Sequence, residues 1–320
     1  MPRQNIVQAI NSALAGELER DHDVVILGED VGRDGGVFRV TEGLLDRFGP
    51  ERVIDTPLAE LGIAGAAVGM AAYGLRPVAE IQFMGFIYAA LEQVFSHAAR
   101  LRSRTRGAFT CPLVIRTPYG IGIKAPELHS ESSEALFCHM PGLKVVVPSS
   151  PYNAKGLLAS AIRDDDPVLF LEPSRLYRAI KAEVPDEPYT LPLGRAEVYQ
   201  EGKDFTVVAW GAMLHKAAEA AEGFDAEIID LQTLKPYDEE AILESVKKTG
   251  RLVIVHEATR IGGFGAEIAA FAAEEAFGYL KAPVMRVGGP EAVTPMARLE
   301  DEFKPSSERI KKAYETVMEF

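Results

Sequence analysis

The sequence has only two cysteines and no apolar run long enough to span a bilayer, and these shortages exclude several classes of protein. Cys111 and Cys138 match neither a metal-ligand spacing nor a redox pair. We therefore expect two buried thiols in a reducing compartment. Residues 1–21 read as an amphipathic helix and lack the apolar core of a signal peptide. Together these features predict a cytoplasmic protein with no membrane partner.

Motifs for nucleotide binding and for common hydrolases are also missing. Residues 28–32 (Gly-Glu-Asp-Val-Gly) depart from the dinucleotide fingerprint, and no phosphate-binding P-loop is present. There is no HExxH metal motif and no Gly-x-Ser-x-Gly nucleophile elbow. The formal net charge of −13 argues against a nucleic-acid partner, because binding to nucleic acid depends on an excess of cations.

Short apolar runs alternate with helical patterns along the chain, which predicts an α/β fold with parallel, doubly wound sheets. A Pro-rich, acidic stretch at 183–193 is typical of a linker, so we expect one domain at 1–182 and a second at 194–320. The predicted strands lie near 24–27, 52–54, 78–83, 113–116, 143–147, 168–171, 206–210, 227–231, 252–257 and 283–287. The predicted helices lie near 5–20, 41–48, 60–74, 86–102, 151–163, 214–221, 238–248, 266–277 and 307–318.

Four polar residues of the first domain stand where ligands bind in such folds, at strand ends or in a long irregular loop. They are Glu29, Glu60, Gln82 and His129. Glu60 opens a helix made almost entirely of Gly and Ala, a composition tolerated where a backbone or a ligand comes very close. Two simpler interpretations stay open: Glu60 could only favour the helix dipole, and His129 could be a surface histidine.

Several longer stretches resemble a known family, the beta subunits of thiamine-diphosphate-dependent 2-oxo acid dehydrogenases. These subunits belong to the decarboxylating component of the pyruvate and branched-chain complexes. The resemblance implies a thiamine-diphosphate (pyrimidine-binding) fold in the first domain, followed by a transketolase C-terminal-like domain. It rests mainly on residues 27–32, 52–62, 74–78, 139–146 and 230–236.

The resemblance implies roles for individual residues. Glu60 matches the glutamate that hydrogen-bonds the cofactor's aminopyrimidine ring. His129 matches the histidine that orients the substrate and assists acyl transfer to a lipoyl arm. Phe86 matches an aromatic residue that packs on the pyrimidine, and Glu29 matches an acid near a tunnel between two active sites. The implied cofactor-binding set is Glu29, Leu58, Glu60, Gln82 and Phe86.

The resemblance also bears on metal ions. Relatives often hold K⁺ on backbone carbonyls, here expected from Cys111, Leu113, Val114, Ala161, Asp164 and Asp166. Related enzymes bind Mg²⁺ and the diphosphate through a Gly-Asp-Gly…Asn-Asn stretch that this chain lacks. We therefore expect an alpha subunit to hold most of the Mg²⁺ site, in an assembly of two alpha and two beta chains.

The second domain is expected, by the same resemblance, to dock the lipoyl acyltransferase core. Glu291 and the terminal carboxylate of Phe320 are candidate docking acids. The implied reaction is oxidative decarboxylation of a 2-oxo acid with reductive acylation of a lipoyl group. The substrate stays open between pyruvate and branched-chain 2-oxo acids. Alternatives are an acetoin dehydrogenase beta subunit, a non-catalytic α/β scaffold subunit and a self-sufficient transketolase-like synthase.

Overall fold

The computed structural model describes residues 1–295 and 297–320 as an α/β protein with two large sheets. The strands are β1 (Arg3–Gln4), β2 (Val24–Gly28), β3 (Val53–Asp55), β4 (Arg76–Glu80), β5 (Val114–Tyr119), β6 (Lys144–Val146), β7 (Val168–Pro173), β8 (Ala182–Glu183), β9 (Glu197–Gln200), β10 (Thr206–Ala209), β11 (Glu227–Asp230), β12 (Thr233–Lys235), β13 (Leu252–Thr259) and β14 (Met285–Gly289). The α-helices are α1 (Ile6–Arg20), α2 (Leu44–Phe48), α3 (Glu60–Tyr73), α4 (Leu101–Arg104), α5 (Glu134–Cys138), α6 (Pro151–Arg163), α7 (Ala212–Ala220), α8 (Glu239–Thr249), α9 (Gly265–Glu275), α10 (Glu300–Phe303) and α11 (Ser307–Met318).

The two sheets confirm the predicted two-domain α/β class. The first has the strand order β12-β6-β7-β5-β4-β2-β3 and the second β14-β13-β10-β11-β9. The central strands are parallel, but β12 and β9 are antiparallel edge strands that the sequence pattern did not predict. Strand β12 follows β11 of the second sheet in the chain and yet pairs with β6 of the first. The boundaries at 182 and 193 stay a prediction.

Both faces of each sheet are covered, which explains why the strands read as continuous apolar runs. Successive side chains of a strand point to opposite faces. Ile26 accordingly packs with α1 and α6, whereas the next residue, Leu27, packs with α3. Val207 and Val208 divide in the same way in the second sheet. Two continuous cores therefore run through both domains, one on each side of the sheets.

The predicted regular helix at 86–102 is wrong. The chain instead forms a 3₁₀ helix at Met84–Ala90, a π-helical turn at Gln93–His97, a second 3₁₀ turn at Ala98–Arg100 and the short α4. Turns of 3₁₀ and π-helix in place of a regular α-helix occur where the backbone is strained by its surroundings or borders a functional site. The first turn contacts the backbone of Leu128 at Gly85.

The structure bears on the prediction that both cysteines are buried thiols. Cys111 and Cys138 are both free thiols, as predicted, but only Cys111 is buried, and Cys138 is half-buried. Burial raises the pKa of Cys111 to about 12, so this thiol is unreactive at neutral pH.

Within the described residues, no helix combines the length and apolarity needed to cross a membrane.

Candidate active site

Three of the predicted site residues converge at the carboxyl edge of the first sheet. Glu29 follows β2, Glu60 opens α3 after β3, and Gln82 follows β4. Because β2 lies between β3 and β4, the ends of these strands are neighbours. This is the edge at which parallel sheets place their ligands.

Glu29 and Glu60 form an electrostatically coupled pair at this edge. Burial raises the pKa of Glu29 above its usual value, and the negative charge of Glu60 raises it further. Within the described residues, the Oε1 atom of Glu29 is buried without a hydrogen-bond partner. A buried acceptor without a donor is costly, and a ligand that offers a donor removes that cost. The pair therefore fits a ligand that offers a hydrogen-bond donor.

Glu60 is half-buried and is the first residue of α3. Ala59 precedes it, and no side chain caps this helix end. No hydrogen bond or ion pair engages the Glu60 carboxylate anywhere in 1–295 or 297–320. Its charge is therefore available to the helix dipole and to a ligand at the same time.

His129 packs against two aromatic rings, one just before the Met84–Ala90 turn and one within it. Its ring centroid lies 4.3 Å from that of Phe83 and 5.1 Å from that of Phe86. The Nδ1 atom of His129 is buried without a partner among the described residues. Phe83, Phe86 and His129 therefore form an aromatic wall with an unsatisfied ring nitrogen, and the roles implied for Phe86 and His129 stay predictions.

Gly85 makes this arrangement sterically feasible. A Cβ at this position would lie 2.5 Å from the carbonyl oxygen of Leu128, closer than any real contact. Glycine has no Cβ, so the backbone of the segment carrying His129 can rest directly on the turn carrying Phe86. The sequence reasoning did not single out this residue.

Leu58 lies beside Glu60 but faces outward, with 80% of its surface exposed. The neighbouring α3 exposes a row of residues with Leu61 near its start and Tyr73, 90% exposed, at its end. Between them the exposed positions are small, namely Gly62, Ala66 and Gly69. An apolar surface of this kind, adjacent to the site, is typical of an interface with another chain.

A buried ion network under the site was missed at the sequence level. Arg116 on β5 is 1% exposed and donates to Glu172 of β7 through Nε (2.6 Å) and Nη2 (2.8 Å). It also donates to Glu80 of β4, and Tyr177 donates its hydroxyl hydrogen to Glu172. Burial opposes the charge of Arg116, but the two carboxylates outweigh burial and raise its pKa. The sequence does contain a signal for this network, because each of the three apolar strands β4, β5 and β7 carries a charged residue.

The six residues proposed for K⁺ lie together at the opposite, amino-terminal edge of the sheet. At least four of their carbonyl oxygens already accept hydrogen bonds: Cys111 from Leu113 N, Leu113 from Val168 N, Ala161 from Asp164 N, and Asp164 from Arg76 Nη1. A carbonyl has two lone pairs, so these bonds are compatible with a further ligand. The potassium site at Cys111, Leu113, Val114, Ala161, Asp164 and Asp166 stays a prediction. The described residues contain no cluster of three or more His, Cys, Asp or Glu able to hold a metal ion.

The two proposed docking acids have different surroundings. Phe320 ends the chain and is exposed. Glu291 lines a surface cleft together with Arg260, Arg286 and Arg309, and in the described part of the chain none of these arginines pairs with a carboxylate. The cleft around Glu291 is therefore basic. This charge disfavours docking of a basic partner at Glu291 itself.

Comparison with known families matches both halves of the chain. Residues 3–180 match the family described as the transketolase pyrimidine binding domain. Residues 194–310 match the transketolase C-terminal domain. A solved structure named "Split gene transketolase, inactive beta4 tetramer" superposes with a TM-score of 0.81 at 25% sequence identity, covering 98% of both chains.

Curated relatives are similar over nearly the full chain. A Bacillus subtilis protein is 47% identical over 325 residues and covers 100% of both chains. An Acholeplasma laidlawii protein is 52% identical over 310 residues, or 95% of both chains. A Staphylococcus epidermidis protein is 48% identical over 325 residues, again with full coverage. Each is named "Pyruvate dehydrogenase E1 component subunit beta".

Proposed function

Because the chain belongs to the family of beta subunits of the thiamine-diphosphate-dependent 2-oxo acid dehydrogenases, we propose that it supplies the pyrimidine-binding half of an active site shared with an alpha subunit. The observation that carries the proposal is the convergence of Glu29, Glu60 and Gln82 at one sheet edge, next to exposed Leu58. A cofactor held only from this edge would leave its other half to a partner chain.

Pyruvate is the substrate that we propose, since the relatives that match at 47–52% identity carry the name of pyruvate dehydrogenase. Branched-chain 2-oxo acids and acetoin are the competing substrates. Much of the substrate pocket is expected from the alpha subunit, so the substrate must be measured on the assembled pair.

The residues of this chain fit the pyrimidine end of thiamine diphosphate. When bound, the cofactor supplies the electron sink that decarboxylation of a 2-oxo acid requires. The Glu60 carboxyl would hold a proton at the pyrimidine ring nitrogen, and Glu29 Oε1, which is buried without a partner among the described residues, would accept a hydrogen bond beside it. Phe86 would pack on the ring and Gln82 would border it, whereas the exposed Leu58 would reach the cofactor at the interface with the alpha subunit. His129, whose Nδ1 has no partner among the described residues, would orient the substrate and assist acyl transfer to a lipoyl group.

The remaining partners follow from what this half lacks. We expect the alpha subunit to hold the diphosphate and most of the Mg²⁺ site, because no metal-binding cluster occurs in the described residues. The exposed apolar side of α3 is the surface we assign to subunit contact. Docking of the lipoyl acyltransferase core on the second domain, and a cytoplasmic location, stay predictions.

Reconstitution tests the proposal. The chain is assayed alone and with its candidate alpha subunit, in thiamine diphosphate and Mg²⁺, for dye reduction that depends on pyruvate or on branched-chain 2-oxo acids. Activity only in the mixture, and with pyruvate, is the expected result. Activity of the chain alone would contradict the shared site. A stable but inactive complex would favour the non-catalytic scaffold.

Glu60→Ala in the same assay separates catalysis from helix stabilisation. We expect loss of decarboxylation with assembly intact, because the variant removes the carboxyl that would hold a proton at the pyrimidine nitrogen and leaves the exposed apolar side of α3 unchanged. Glu239→Ala is the matched control, since Glu239 is also the first residue of a helix, α8, but is exposed in the second domain. Full activity in Glu60→Ala, or equal losses in both variants, would overturn the assignment of Glu60.

A further inference from the structure

The segment that carries His129 is anchored to the second domain. This segment, residues 120–133 (the His129 loop), connects β5 to α5. The backbone N–H of Gly120 donates to the Glu131 carbonyl at 2.8 Å and closes the base of the loop. Two further backbone N–H groups near its start, at Ile121 and Lys124, donate to carboxylates that lie far away in the chain.

Glu257 provides the first anchor. It lies near the carboxyl end of β13, is 5% exposed, and accepts a hydrogen bond from the backbone N–H of Ile121. Gly120 permits this close approach, because its φ is +82° and a Cβ there would lie 2.7 Å from Glu257 Oε1. A buried carboxylate that binds a loop backbone is well suited to fixing that loop, since the alternative leaves both groups without a partner.

Glu300 provides the second anchor three residues further along the loop. It opens α10, is 2% exposed, and accepts from the backbone N–H of Lys124 at 2.8 Å. The Lys124 side chain also lies 3.6 Å from Asp301, but both groups are exposed, so this pair contributes little. An exposed carboxylate would be enough to pair with the Lys124 side chain. The burial of Glu300 is explained instead by its hydrogen bond to the loop backbone.

The far end of the loop is held by the first domain. The Leu128 backbone rests on Gly85, and the His129 ring contacts Phe83 and Phe86. The loop therefore spans from two carboxylates of the second domain to the aromatic wall of the site. Its position, and with it the position of the imidazole, depends on contacts at both ends.

We propose that Glu257 and Glu300 are positioning residues through which the second domain holds His129 in place for acyl transfer. This inference rests on the proposed function of His129. Neither glutamate touches the reacting atoms; both act through the loop backbone. Loss of either anchor lets the imidazole drift, and displacement of a positioned group by about 1 Å can cost up to about a hundredfold in rate.

The test compares two half-reactions of the complex assembled with the alpha subunit. Dye-linked decarboxylation reports the first, and acylation of an isolated lipoyl domain, followed by mass spectrometry, reports the second. Glu257→Leu should lower acylation by about tenfold or more and decarboxylation much less. Glu257→Gln keeps an oxygen acceptor for Ile121 and should rescue acylation. In the His129→Ala background, Glu257→Leu should add no further loss.

Gly120→Ala tests the same anchor from the loop side. Its new Cβ would displace the Glu257 carboxylate, so acylation should again fall selectively. Gly107→Ala is the matched control, because Gly107 has the same φ of +82° but no atom within 4 Å of its Cβ position. Both variants therefore carry the same backbone strain, and only one disturbs the anchor.

Hydrogen exchange keeps the inference testable without activity. Amides of residues 120–133 should exchange faster in Glu257→Leu and Gly120→Ala than in wild type, Glu257→Gln or Gly107→Ala. Unchanged exchange in the loop, or equal losses in the two half-reactions, would overturn the inference. A wild-type complex that fails to acylate the lipoyl domain would instead refute the function proposed for His129, and the exchange result would still judge the anchor.

Discussion

Replacing Arg116 by leucine should strongly destabilise the first domain. The guanidinium is 1% exposed and is the cation that faces both Glu80 and Glu172 in the network. In Arg116→Leu, the two buried carboxylates remain and lose the group that neutralises them. Removing one partner of a buried ion pair costs roughly 3–5 kcal/mol. A domain has about 5–15 kcal/mol of stability in total, so this loss is large.

The penalty should depend on pH in a defined direction. Burial already raises the pKa of Glu80, and Arg116 is the main group that lowers it. Without Arg116, the pKa of Glu80 in the folded state rises further above its value in the unfolded state. Stability from such a group is present below the unfolded pKa and is lost as pH rises through the folded one. The deficit of Arg116→Leu should therefore shrink as the pH falls from neutral toward 4.5, the usual pKa of a glutamate.

Urea unfolding of the full chain measures the effect, with circular dichroism and the fluorescence of Trp210 as two signals. Arg195→Leu is the control: the Arg195 side chain is 63% exposed, its ion pairs are long (3.5 Å to Glu240 and 3.8 Å to Asp238), and Asp238 keeps its two backbone hydrogen bonds, so this variant should stay within about 1 kcal/mol of wild type. Arg116→Met combined with Glu80→Gln and Glu172→Gln removes all three charges and should recover much of the loss. A deficit no larger than that of Arg195→Leu, or one that grows as pH falls, would refute the reasoning.

Two other predictions concern the site and the contact between the domains. Gly85→Ala should displace the Leu128 backbone and lower lipoyl acylation, whereas Gly16→Ala, with no atom within 4 Å of its Cβ position, should not; equal activities would contradict the steric argument. Burial raises the pKa of Glu134, which accepts a hydrogen bond from Trp210 Nε1 at 3.4 Å, to about 7. Ionisation of Glu134 therefore destabilises the folded protein as the pH rises from 4.5, the usual pKa of a glutamate, to about 7. The midpoint of thermal unfolding should vary less across this pH range in Glu134→Gln than in wild type. An unchanged pH profile would contradict that role.

The candidate site divides into a part that the sequence could predict and a part that it could not. Glu29 and Glu60 were identified because each follows an apolar strand, and parallel strands share one carboxyl edge. His129 was suggested by an unusually long loop and by the family resemblance. Gly85 and Gly120 were not identified, because nothing local distinguishes a glycine under a crossing backbone from one in an ordinary turn.

The sequence by itself determined the order of the parallel strands and of the longer α-helices, the apolar stretches that form the cores, and the polar groups at the first sheet's edge. These follow from local periodicity, and α6 was predicted at the residues it occupies, Pro151–Arg163. Only the tertiary structure decided that Arg116 neutralises the carboxylates of Glu80 and Glu172, that β12 joins the first sheet, and that Glu257 holds the His129 loop. Ile121 and Glu257 are 136 positions apart, and Lys124 and Glu300 are 176 apart. No local pattern encodes such a pairing, because it exists only once packing of the two domains brings a buried acceptor against an unpaired backbone N–H.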